Sequence, residues 1–195
     1  FSSCSSDDDI IDDQYVTSTK MFTATIESDG NTRTTLVDKT PNWELGDEIS
    51  IDGHIYTANS AGTSSTFAGT DATESIHHAY FPADIYNNGV PTLPATYTYT
   101  EGKFNMPMYA ESSTTNLAFK NICGVLAITI PNSQMASVSS ITISSDKRMN
   151  GEFSANEDGI MSFASDASTE ADKIVTLIFP TKKEISNSET FYVPI

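Results

Sequence analysis

The fold class this sequence predicts is all-β, and three observations predict it. Hydrophobic residues fill 38% of 195 positions, enough to build a core. They are drawn largely from Ile, Val, Tyr and Phe and are mixed with abundant Ser and Thr, the residues that suit a pleated, half-buried surface. They fall in short alternating runs separated by Gly, Pro, Asn and Asp, and no stretch longer than about ten residues shows a helical period. About a dozen such runs with frequent turn signals read as β-sandwich material.

The elements follow in chain order. Residues 5 to 19 hold two short apolar pairs, Ile10-Ile11 and Tyr15-Val16, among Ser, Asp, Gln and Thr. They cannot bury enough surface to offset chain entropy, so a disordered acidic tether is expected over residues 1–17. "MFTATIE" alternates, with Phe22, Ala24 and Ile26 on one face and Thr23, Thr25 and Glu27 on the other. "SDGNTR" signals a turn, "RTTLVD" a second short strand, and "PNWELGD" a loop carrying Trp43, the single tryptophan.

"EISIDGHIYTA" is a hairpin about Asp52-Gly53, a two-residue loop that favours a type I′ turn. Its register sets Ile51 opposite His54 and Ile49 opposite Tyr56, and all four are expected on the core face. "STFAGT", "HHAYFPA", "ATYTYT" and "NMPMYA" continue as short strands, with Asn87-Asn88-Gly89 and prolines 91, 94 and 107 separating or edging them. "LAFKNICGVLAITIP", "VSSITISSD", "MNGEFSA", "IMSFA", "KIVTLIFP" and "FYVPI" complete the set, and Ser165 to Asp172 has room for one helical turn. The spacing predicts two sandwich units, residues 18–111 and 112–195, with the polar "ESSTTN" as linker. A second sandwich needs strands beyond Ile195, so the second unit is expected to be incomplete.

Charge and cysteine usage narrow the partners. Acidic residues number 26 against 10 basic, a net charge of -16. That field repels nucleic acid, which is excluded as a partner. No apolar run approaches the roughly 20 residues of a spanning helix. Cys4 lies in the tether and Cys123 in an apolar run. A bridge between them would tie a tail to a core strand, so Cys123 is read as a small buried hydrophobe.

No catalytic constellation is legible. There is no G-x-S-x-G elbow and no glycine-rich phosphate loop after a strand. Asp47-Glu48 alternate faces and make a poor acid/base pair. His77 and His78 point to opposite faces of a strand, cannot hold one metal together, and read as surface and edge residues. His54 has no second ligand nearby, and the acidic tract lacks the ligand order of a calcium loop. No cofactor, metal or enzyme activity is expected. Tyr86, Tyr97, Tyr99 and Trp43 could stack on sugars, although a ladder such as "TYTYT" more commonly packs across strands.

Two resemblances carry the reading further. Phe1-Ser2-Ser3-Cys4 resembles the end of a bacterial lipoprotein signal, with small residues before the cysteine that takes the lipid. The following "SSDDD" is similar to the acidic tract that sends lipoproteins of Bacteroides-type bacteria to the outer surface of the outer membrane. Acyl chains on Cys4 would supply the anchor at about 0.8 kcal/mol per buried CH2.

The body resembles the fimbrillin-like proteins, the Mfa/FimA-type pilin superfamily. Phe22, Ala24, Thr32-Arg33-Thr34, Trp43, Gly46, Asp47 and Ile49 fit its F-x-A, T-R-T and W-x-x-G-D-x-I pattern. "HAYFPA", "MPMYAES", "LAFKNICGVLAITI" and "VSSITISSDKRMNGEFSA" are similar to later parts, so the likeness spans residues 20 to 195. It implies two transthyretin-like Greek-key β-sandwich domains, cell-surface export as a lipoprotein, cleavage after an arginine near the first strand, and polymerisation by strand exchange with neighbouring subunits.

Arg33 and Arg148 are the two arginines of the chain. A cut after Arg33 would release the strand bearing Phe22, Ala24 and Ile26 together with lipidated Cys4. The alternative reading is a monomeric outer-membrane surface lipoprotein that binds a glycan or a host protein through exposed aromatics.

Overall fold

The computed structural model describes residues 19–27, 42–104, 106–132, 137–165 and 168–195. Cys4, Arg33, the acidic tether and the "RTTLVD" strand lie outside these residues. Among the described residues sixteen strands form: β1 Lys20–Ile26, β2 Glu48–Ile51, β3 His54–Ala58, β4 Ser64–Gly69, β5 His77–Phe81, β6 Tyr86–Asn87, β7 Val90–Leu93 and β8 Thr96–Thr98. They continue as β9 Met108–Ser112, β10 Asn116–Asn121, β11 Val125–Ile130, β12 Ser137–Ser144, β13 Gly151–Ala155, β14 Met161–Phe163, β15 Ile174–Glu184 and β16 Glu189–Pro194. Two single 3-10 turns, Ala83–Ile85 and Ala171–Lys173, are the helical content of the described residues. The chain is all-β.

Seven strands close into a barrel in the order β1-β10-β9-β5-β2-β3-β4. β1 runs parallel to β10 and antiparallel to β4, and joins the two. Inside sit Phe22, Ala24, Trp43, Ile49, Ile51, Tyr56, Phe67, Phe81, Met108, Leu117 and Phe119, each less than a tenth exposed. The expected first sandwich is thus a closed barrel, because β1 pairs along both of its edges and leaves no gap between two sheets. Two smaller sheets, β11-β16 and β12-β15-β8, enclose a second core of Val175, Leu177, Phe179, Phe191 and Val193. A fourth, β14-β13-β7-β6, lays Leu93 and Phe153 on the barrel's outer face against Tyr80 and Tyr109.

Strand pairing runs across the expected 111/112 boundary. β9 and β10 are barrel neighbours, with Lys120 opposite Tyr109. "ESSTTN" is the loop between them. Ser112 Oγ accepts from the Thr114 N–H, and the Thr115 carbonyl accepts from Thr23 on β1. In the other direction, β7 pairs with β13 and β8 runs parallel to β15, so residues 90–98 belong with the second half. A Ser/Thr loop satisfied by its own hydroxyls has the composition of a linker, and composition alone does not separate the two.

The Asp52-Gly53 hairpin has the expected register, Ile49 to Tyr56 and Ile51 to His54. Both turn residues have positive φ, 52° and 87°, as a type I′ loop requires. Ile49, Ile51 and Tyr56 are buried, whereas His54 is exposed at the end of the hairpin. A second loop of the same chemistry, Asn88-Gly89 with φ of 52° and 86°, joins β6 to β7.

Gly69, at the end of β4, admits β3 unusually closely. A Cβ there would stand 2.7 Å from the Ile55 carbonyl oxygen and from two ring carbons of Tyr56. The carbonyl is backbone and cannot swing aside. Gly69→Ala is therefore expected to cost about 1–3 kcal/mol, read as a lower midpoint in urea unfolding. A variant with the wild-type midpoint would show that β3 and β4 separate without cost.

Candidate functional site

The seat of β1 is the place where sequence, burial and polar chemistry converge. Its period-2 alternation sends Phe22 and Ala24 into the barrel at 1% and 0% exposure, with Ile26 half-buried against the same core. Met21 and Thr25 face outward. Lys20 to Thr25 pair with Gly69 to Ser64 of β4, and Thr23 to Ile26 pair with Asn116 to Phe119 of β10.

Three contacts fix β1 from inside. The Phe22 ring meets Tyr56 edge-on at 5.2 Å and His77 at 4.8 Å. The Trp43 indole N–H donates to the Ala24 carbonyl at 3.1 Å in a buried setting. Trp43 is itself held by edge contacts with Phe67, Phe81 and Phe119 at 5.0, 5.2 and 5.2 Å. A backbone bridge to Gly62 holds its main chain.

The third contact is polar and lies at the start of the strand. Lys20 Nζ donates to the Ala72 carbonyl at 2.8 Å and to His77 Nε2 at 3.2 Å. His77 Nδ1 lies 2.6 Å from Asp52 Oδ2, and the two side chains are 5% and 7% exposed. The other oxygen of Asp52 accepts from the His78 backbone N–H at 2.8 Å. An ammonium can only donate and a carboxylate accepts, so the ring between them carries its proton on Nδ1 and accepts through Nε2. Lys20, His77 and Asp52 therefore form a chain of hydrogen bonds with one direction. It ties β1 to β5 and to the hairpin turn.

His77 is corrected by this arrangement. It was expected at the surface, but the alternation of β5 puts it inside with Ala79 and Phe81. It tolerates that position because both ring nitrogens are satisfied. His78 does face the opposite way. Its Nδ1 lies 2.7 Å from the Tyr109 hydroxyl, which in turn donates to Glu111 at 2.8 Å.

The aromatics considered for sugar stacking are largely covered. Trp43 is 1% exposed. Tyr86 is half-buried and stacks on Tyr80 at 4.9 Å, and Tyr99 packs on Phe179 and Phe191 at 4.8 and 5.6 Å. Tyr97 joins the same second core. Cys123 is half-buried between the barrel and the aromatic cluster on its outer face, and burial pushes its thiol up to about 12. It stays protonated at neutral pH, as expected of an apolar packing residue. Comparison with protein families, with curated proteins and with solved structures finds no match for this chain.

Proposed function

We propose that this protein is a structural or adhesive subunit of bacterial surface fimbriae, in which β1 is the exchangeable strand. In this reading Cys4 carries the lipid that delivers the precursor to the outer membrane, and cleavage after Arg33 frees β1 together with the anchor. A neighbouring subunit's strand then fills the vacated place. In this reading the barrel takes the place of the first transthyretin-like Greek-key sandwich expected of such a subunit, and the paired sheets around Val175 that of the second.

One observation carries the proposal. β1 is the first described strand, closes the barrel, and is bonded along both edges. Its departure would expose an apolar slot lined by Trp43, Tyr56, Phe67 and Phe119 between two unpaired strand edges, which is an adhesive surface for another extended chain. Phe22 alone contributes about 1.5–3 kcal/mol of burial that only a replacement strand can restore. The rival reading, a monomeric surface lipoprotein binding a glycan or host protein, draws less support because Trp43 is enclosed and Tyr86, Tyr97 and Tyr99 are half-buried against their neighbours.

Limited digestion of protein recovered from cells tests the two readings. Cleavage after Arg33 is expected to give a new N-terminus at Thr34 and ladders on unboiled SDS gels. Surface protein that keeps a lipidated Cys4 and yields only monomeric fragments would favour the monomeric binder.

A further inference from the structure

Resting on the strand-exchange reading, we infer that the seat of β1 selects the sequence of the strand that fills it. It takes a segment reading basic, any, aromatic, any, alanine-sized, any, aliphatic, laid parallel to β10. Each position of that pattern has its own cause. The basic end is set by two acceptors, the Ala72 carbonyl and His77 Nε2, which hold Lys20 Nζ at 2.8 and 3.2 Å. Behind the ring stands the enclosed carboxylate of Asp52, 2.6 Å from Nδ1. A neutral side chain leaves Nε2 without a donor, and an acidic one sets a second carboxylate against an acceptor backed by a carboxylate.

The aromatic position is Phe22, whose ring the edges of Tyr56 and His77 confine. The small position is Ala24, wholly enclosed, with its carbonyl taken by the Trp43 indole. Three aromatic rings pin that indole, so it cannot retreat from a longer side chain. The aliphatic position is Ile26, half-buried at the far end. Direction follows from the ends: a reversed strand would deliver its cation to the opposite mouth of the slot, away from Asp52 and His77.

The pattern is selective within this sequence itself. Of its ten Lys and Arg residues, Lys20 is the one with an aromatic residue two positions on. No other stretch of the 195 residues meets the basic and aromatic requirements together. The strand that refills the seat once β1 has left is thus not another stretch of these 195 residues, and we assign it to a partner chain that carries the same pattern.

The test uses the full chain carrying Arg148→Lys, which leaves Arg33 as the single arginine, cut with an arginine-specific protease that spares a peptide of residues 19–27 because that stretch has no arginine. After the protease is quenched, binding of three labelled peptides is followed by fluorescence anisotropy: the native sequence, Ala24→Leu and Lys20→Glu. The native peptide is expected to bind, and each variant to bind at least about tenfold more weakly, as overpacking and an unpaired buried group imply. Equal binding of all three would overturn the sequence selectivity while leaving strand release intact. Failure of all three to bind a chain shown to be cut after Arg33 would overturn strand release, and the selectivity with it.

Discussion

Trp43→Ala is expected to unfold the barrel more readily than any other single change, at a cost of about 3–5 kcal/mol. Trp43 belongs to none of the barrel's strands, yet it is the largest enclosed side chain and touches three other rings. Truncation leaves a void that Phe67, Phe81 and Phe119 cannot close, since each is fixed by its own strand. It also removes the indole hydrogen bond to the Ala24 carbonyl. Trp43→Phe separates these effects. It keeps most of the ring contact and loses the N–H, so the remaining cost is that of one hydrogen bond to a carbonyl that β4 also pairs, about 0.5–1.5 kcal/mol. Urea unfolding followed by circular dichroism reads both variants. A Trp43→Ala midpoint equal to that of the wild type would show that Trp43 does not hold β1 or the barrel. Because Trp43 is the single tryptophan, its emission in the wild-type chain also reports release of β1, with a shift to longer wavelength as water reaches the indole.

The strand inventory was legible because its signals are local. Asp52-Gly53 demands positive φ, and alternation on either side fixed the register to the residue. Asn88-Gly89 carries the same signal, and it is a hairpin turn rather than a separator, with two residues on each side paired across it. "LAFKNICGVLAITIP" read as one strand but is two, broken over Ile122 to Gly124, where Gly124 and Ile195 exchange backbone hydrogen bonds. β15 passes through Pro180, where a stop was expected. The pairing with β12 slips there, from Ile178 opposite Ser140 to Lys183 opposite Val138, so the proline falls in a stretch that owes the ladder no N–H.

Closure of the barrel was not legible. It depends on β1 meeting β10 in parallel, about ninety residues away, and parallel partners carry no turn signal between them. The polar chain behind β1 was hidden for the same reason. Lys20 falls just outside the alternating run, Asp52 reads as a turn residue and His77 as surface, and nothing local links the three. Only the assembled sheet brings residues 20, 52 and 77 together.

Asp52→Ala should cost roughly 2–4 kcal/mol, from two sources that can be measured separately. The first is backbone. Asp52 holds φ of 52°, a left-handed conformation that Asp tolerates better than Ala. Asp52→Gly removes that strain and the side chain together, so its shortfall relative to wild type isolates the hydrogen bonds. The second source is the polar chain. Without the carboxylate, the His77 Nδ1–H and the His78 backbone N–H both lose their acceptor. Asp52→Asn is the sharper control, because an amide has the right shape and one acceptor. If its oxygen faces His77, its NH2 faces the His78 N–H. If it flips, His77 must accept through Nδ1 and turn an Nε2–H toward the Lys20 ammonium. Either way two donors meet, so Asn is expected to remain about 1–3 kcal/mol below wild type. The loss should fall on β1. Hydrogen exchange at the Thr23 and Ile26 amides, which bond to Thr115 and Thr63, is expected to quicken more than exchange in β15, on the far core. An Asp52→Asn protein with wild-type stability and wild-type exchange along β1 would mean that Lys20 and His77 do not fasten the strand, and that its grip comes from Phe22, Ala24 and Trp43 alone.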